Sequence, residues 1–268
     1  MLVLSACGSE SADEVYSEAL SAAEDMESAE VAMDIEMNME VPDEGAITIE
    51  SSNDMEMTID PLTMYMKGTT KFDTDEELGT VPGMGTEQEI EMYTVDDTMY
   101  MYNEMMGGWL KMEGTGMDAI AEMAGEQPDP AEQMKLIEDY VEDVSFDETD
   151  DGYTFKLETD GDEFKELFDK LMEDNQASEL TEMLGANGQE LLDNMDMNSL
   201  ALEYTIDKDN YQIKGYNMDM DYTMEVEGQE MKTTQKMKTT YSNINNVDSI
   251  EVPEDVKEEA IDQGEMGF

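Results

Sequence analysis

The 268-residue chain has no histidine, no arginine, one cysteine and one tryptophan, and each shortage removes a class of chemistry. Without histidine there is no imidazole base, no Ser-His or Cys-His nucleophile pair, and no imidazole ligand for a metal. Without arginine, bidentate recognition of phosphate or carboxylate is lost. The lone cysteine, Cys7, can form neither an internal disulfide nor a thiolate zinc site. Cations are scarce as well: 13 lysines face 70 aspartates and glutamates, a formal net charge of −57. Such a surface repels a phosphate backbone, so nucleic acid is excluded as a partner.

A charge of this size strains the compact state through self-repulsion. Molar salt cuts the screening length to roughly 3 Å and removes most of that strain. The composition therefore points to a saline, halophilic setting; the alternative is that the acidic faces are simply well hydrated. With 39% hydrophobic residues the chain can still bury a core, and its length suits one large domain or two small ones.

The first residues read Met1-Leu2-Val3-Leu4-Ser5-Ala6-Cys7-Gly8-Ser9. An apolar stretch closing on Leu-Ser-Ala-Cys-Gly resembles the lipobox of bacterial lipoproteins. That resemblance implies cleavage after Ala6 and a diacylglyceryl thioether on Cys7, with two acyl chains giving stable anchoring. No basic residue precedes Leu2 and the apolar stretch is short for a signal peptide, so the true start is expected upstream. Residues 1–6 are then a signal remnant, 7–14 the lipidated cysteine and a polar tether, and 15–268 one domain. No later run of 18 apolar residues offers a membrane-spanning helix.

Beyond the tether, apolar residues at helical spacing predict a helix over 15–26. Strict alternation follows in Val31, Met33, Ile35, Met37, Met39 and Val41, the mark of a half-buried antiparallel strand. The same pattern recurs at Ile47/Ile49, Met55/Met57/Ile59, Leu62/Met64/Met66, Ile90/Met92, Met99/Met101 and 109–112. It returns over 143–148, 153–159, 200–206, 216–226 and 230–241. Helices are expected over 116–124, 130–141, 162–175 and 178–195, with a loop over 73–86. About eleven strands with few intervening helices predict an α+β fold built on one large antiparallel sheet.

Several stretches together resemble the LolA/LppX-like lipoproteins, in particular a Bacillus-type branch. They are the lipobox, Asp60-Pro61-Leu62-Thr63-Met64-Tyr65-Met66-Lys67, Trp109-Leu110-Lys111-Met112, Ile206 to Tyr211, Tyr241 to Asn245, and Ile250-Glu251-Val252-Pro253. The resemblance implies a curved half-barrel with helices on its concave side and an apolar cavity between. Relatives carry lipids or lipoproteins across an envelope compartment, often with an arginine at the cavity mouth that this chain lacks.

Methionine is the strongest anomaly, with 29 in the chain, many on the apolar parity of the strands. Plain core, a pliable cavity lining and a thioether copper site are the three readings; no cysteine or histidine reinforces the last. The acidic run at 147–152 lacks the residue order of a calcium loop. Paired carboxylates could in principle cleave glycosides, but one tryptophan is poor provision for stacking sugars. The expected protein is thus no enzyme and needs no cofactor or metal. It is an extracytoplasmic lipoprotein, held to the membrane by Cys7, that binds lipid or another apolar ligand. The expected cavity lining is Met33, Ile35, Met37, Met39, Ile59, Met64, Met66, Met92, Met218, Met220 and Met224. The rival reading is a structural or signalling lipoprotein with a packed core and a protein partner.

Overall fold

The computed structural model describes residues 10–41, 45–74, 87–95, 98–103, 107–113, 134, 144–149, 152–163, 195–226 and 229–262. Period-two patterning turns most of these into strands: β1 (Ser28–Val41), β2 (Gly45–Thr58), β3 (Thr63–Thr74), β4 (Glu87–Val95), β5 (Thr98–Asn103) and β6 (Gly108–Glu113). A second series comprises β7 (Ser145–Glu148), β8 (Tyr153–Asp160), β9 (Met195–Ile206), β10 (Ile213–Val226) and β11 (Gln229–Ser242), and β12 (Ile261–Asp262) ends it. All twelve join in one sheet, ordered β12-β6-β5-β4-β3-β2-β1-β11-β10-β9-β8-β7. Two meanders meet where β1 pairs with β11, and every pairing is antiparallel except β12 with β6. The sheet is open and curved, the α+β half-barrel that the sequence predicts.

Helix α1 (Ala12–Glu24) starts three residues earlier than its apolar periodicity suggests. Ser11 Oγ accepts the Glu14 amide while the Glu14 carboxylate accepts the Ser11 amide, a reciprocal cap that converts part of the expected tether into helix. Tyr16 lies edge-on to Phe155 of β8, and the helix ends three residues before β1. Its length of about 20 Å matches the roughly 19 Å from β8 to β1. The helix therefore runs across the strands at one end of the sheet. There Val15, Tyr16, Ala19 and Ala23 bury against Ala29, Val31, Met55, Phe155, Tyr204 and Ile206. On the opposite face, α2 (Glu254–Glu259) seats Val256, with Val252, against Tyr93, Tyr100 and Trp109.

Three details depart from the sequence reading. The pairs at 47–49 and 55–57 belong to one strand, because Ser51 and Asn53 occupy the apolar parity of β2 and hide its continuity. Strand β9 already begins at Met195, where a helix was expected to end. The two-residue β12, too short to show alternation, makes a twelfth strand. Cys7 and the expected helices over 116–124, 130–141, 162–175 and 178–195 lie outside the described residues, apart from buried Met134, residues 162–163 and Met195.

Candidate functional site

Register assigns every strand residue to one of two faces. The face under α1 carries Ala29, Val31, Met33, Ile35, Met37 and Met39 of β1, with Ile47, Ile49, Ser51, Asn53, Met55 and Met57 opposite them on β2. The same parity continues through Met64 and Met66, Met92 and Thr94, Met99 and Met101, and Leu110 and Met112. On the other side it takes in Thr239 and Met237, Tyr216, Met218 and Met220, Leu202 and Tyr204, and Phe155 and Leu157. From β6 across to β8 no charged residue falls on this face. In a chain with 83 charged side chains, 70 acidic and 13 basic, that separation is the main chemical feature of the fold.

Helix α1 covers only one end of it. Of the expected lining residues, Ile59, Met64 and Met66 pack against the α1 core. Among the described residues, Met33, Ile35, Met37, Met39, Met92, Met218, Met220 and Met224 belong to neither buried cluster and stay half-buried. Met33 to Met39 and Met218 to Met224 share the face with β11 between them, where Met218 stands opposite Met237 and Met237 opposite Ile35.

Neutral polar groups are set into this apolar field. Asn53 Nδ2 donates to Ser51 Oγ at 2.9 Å, and Ser51 Oγ lies 3.0 Å from Thr70 Oγ1. Among the described residues, Asn53 Oδ1, Thr94 Oγ1, Thr159 Oγ1 and Thr239 Oγ1 are buried without a hydrogen-bond partner, and Thr239 is only 2% exposed. Burial pushes the hydroxyls of Tyr204 and Tyr222 above the usual phenol range, so both stay neutral. These interruptions were invisible as a site in the sequence, where each reads as a flaw in an alternating strand.

The opposite face carries the charged residues and, apart from the α2 cluster, bears a recess. A trough of about 650 Å³ crosses the strands from β3 to β8, with Lys71, Lys156, Lys236, Lys238, Asp34 and Glu36 in its walls. Lys236 stands opposite both Glu36 and Asp219, and Lys156 Nζ lies 2.6 Å from Glu203. Of the expected lining residues, Ile35 alone borders this trough. Lysines at 236 and 238, two apart, were the available sequence signal that both share a face. Among the described residues, no group of three or more acidic, histidine or cysteine side chains is arranged to hold a metal.

A third cluster fastens the start of the domain. Glu10 accepts hydrogen bonds from Tyr211 Oη at 2.6 Å and from the Tyr153 hydroxyl. Those bonds hold the Glu10 carboxyl below the usual carboxylate range and raise both phenols. The Tyr153 and Tyr211 rings stack 6.2 Å apart, with Lys208 Nζ 5.7 Å from the Tyr153 centroid.

A family described as of unknown function, DUF6612, matches residues 11–261. The chain belongs to that family. None of the curated proteins is similar to this DUF6612 member in sequence. Among solved structures it is similar to LprF from Mycobacterium bovis, at 15% identity over 92% of this chain and 99% of that one, with a TM-score of 0.44. It also resembles lipovitellin, at 7% identity over 85% of this chain and 26% of that one, TM-score 0.37. A LolA superfamily protein from Nitrosomonas europaea gives 6% identity over 92% and 97%, TM-score 0.21.

Proposed function

We propose that this DUF6612 protein is an extracytoplasmic lipoprotein, held to a membrane by lipid on Cys7, that binds a lipid against the uncharged face of its sheet. The observation carrying this reading is the far half of that face, from Met33 to Met39 and from Met218 to Met224. Among the described residues it is apolar and charge-free, lies outside both packed clusters, and includes buried hydroxyls with no partner. Methionine side chains adapt to irregular apolar chains. Unpartnered hydroxyls such as Thr239 Oγ1 suit a ligand with ester or hydroxyl oxygens, because a buried polar group without a partner costs about 1–3 kcal/mol.

The test is native mass spectrometry of protein extracted gently from its own membrane, followed by uptake of a fluorescent phospholipid. Co-purified lipid, with uptake abolished by Met37→Asp in a variant that still folds, supports binding. Protein that carries no lipid and takes up no apolar probe favours the packed structural lipoprotein instead.

A further inference from the structure

We propose that one end of the sheet, the rim that carries the Glu10 clamp and the turn bearing Leu62, is the surface that rests on the bilayer. The inference deepens the reading of Cys7 as the lipid anchor and depends on it.

The first argument is chain length. Glu10 is fixed to Tyr153 at the start of β8 and to Tyr211 in the turn between β9 and β10. Two residues, Gly8 and Ser9, separate Glu10 from Cys7, and the three Cα-to-Cα steps reach roughly 10 Å at full extension. Lipid on Cys7 therefore holds this rim against the membrane and no other part of the sheet.

The second argument is independent of the cysteine. Register places the β2–β3 turn at the same end, since Thr58 stands opposite Ser28 and opposite Thr63, and the β11 end pairs with the β1 start. At its tip Leu62 is 62% exposed, the most exposed of the large hydrophobic side chains described. Centre to centre the turn lies four strand spacings from the β9–β10 turn, about 19 Å, so a flat surface can meet both.

Hydrogen bonds tie the rim between them together. Asn245 Oδ1 accepts the Glu27 amide at 2.6 Å and Asn245 Nδ2 donates to the Asp25 carbonyl at 3.2 Å, tying the end of α1 to the end of β11. Ile59 N donates to the Glu27 carbonyl at 2.9 Å, tying the Leu62 turn to the same rim and lowering the ordering cost on docking. The half-buried Tyr211 ring at this rim suits the headgroup layer. Asp25, Glu27, Asp60 and Asp209 share this end, so the matching surface is zwitterionic phospholipid rather than a strongly anionic one. Met37 lies about 30 Å from this rim along β1, nine residues from Ser28.

The experiment compares Leu62→Trp with Glu40→Trp, at the far end of β1, and with the parent protein, whose Trp109 reports the background. Each acylated protein is bound to phosphatidylcholine vesicles containing brominated phosphatidylcholine, and tryptophan quenching is read. Quenching of the added tryptophan in Leu62→Trp, several-fold above that in Glu40→Trp and the parent, is the expected result. Equal quenching at both ends, or more at position 40, overturns the proposal. Failure of the anchor is distinguishable: the protein then shows no acyl mass on Cys7 and stays off the vesicles. In that event Cys7 is coupled to a maleimide phospholipid and the same three proteins are measured. The orientation is then decided by the same comparison.

Discussion

Truncating Phe155 and truncating Met37 should have very different costs, although both point to the same face of the sheet. Phe155 is 2% exposed, 5.5 Å from the Tyr16 ring and 5.0 Å from that of Phe146, beneath α1. Phe155→Ala removes a buried ring worth about 1.5–3 kcal/mol in transfer alone, and leaves a cavity that α1 cannot fill. Loss of two ring contacts brings the expected cost to about 3–5 kcal/mol. Met37 is half-buried, outside both clusters, and opposite Ile49 and Gln235. Without a sealed cavity to create, Met37→Ala should cost roughly 1 kcal/mol or less, since the full about 2–5 kcal/mol applies only in a packed core. Urea unfolding in 1 M NaCl, followed by tyrosine and tryptophan fluorescence, separates the two. With a slope of about 3 kcal/mol/M, Phe155→Ala moves the midpoint by about 1 M or more, and Met37→Ala by less than about 0.4 M. Equal shifts would refute the division of the face into a packed half and a binding half.

Melting temperature should rise with NaCl over the first molar and then level off, as screening relieves repulsion among the 70 acidic residues; a flat profile in differential scanning calorimetry would refute the saline reading. Gly68→Ala should destabilise by about 1–3 kcal/mol in the same urea assay. A Cβ there would meet Asn53 Oδ1 at 2.2 Å and the Ser52 carbonyl at 2.4 Å, and the latter is backbone. In alkali, Tyr65, Tyr153 and Tyr204 hold their protons above the ordinary value of 10.0, whereas the unfolded chain releases them. Their contribution is complete below pH 10.0 and lost as pH climbs beyond it, so stability should fall there, and Tyr204→Phe should soften the fall. In acid the sign reverses for Glu10: its carboxyl is depressed from 4.5, so its clamp contributes above pH 4.5 and weakens below, which Glu10→Gln should mimic at neutral pH as faster exchange of the α1 amides.

The sequence by itself determined the strands and their two faces. In β1, the polar residues between Val31 and Met39 leave one parity for burial, and a strand has only two faces to offer. It also determined what chemistry is missing, since absent histidine and arginine are absent from any fold. Neighbouring local signals misled where a face is interrupted, at Ser51 and Asn53, where an element is too short for a period, at β12, and at the starts of α1 and β9. Three features depended on tertiary structure. Strand order is one: the pairing of β1 with β11 joins residues some two hundred positions apart, and no local pattern encodes that distance. The division of the apolar face is another, because α1 is long enough to cross one end of the sheet and no more, so Val31 is core while Met37, on the same strand and parity, is not. The last is the rim: Glu10 meets Tyr153 and Tyr211 only once β8 and the β9–β10 turn lie side by side, a contact set by packing and unreadable from spacing.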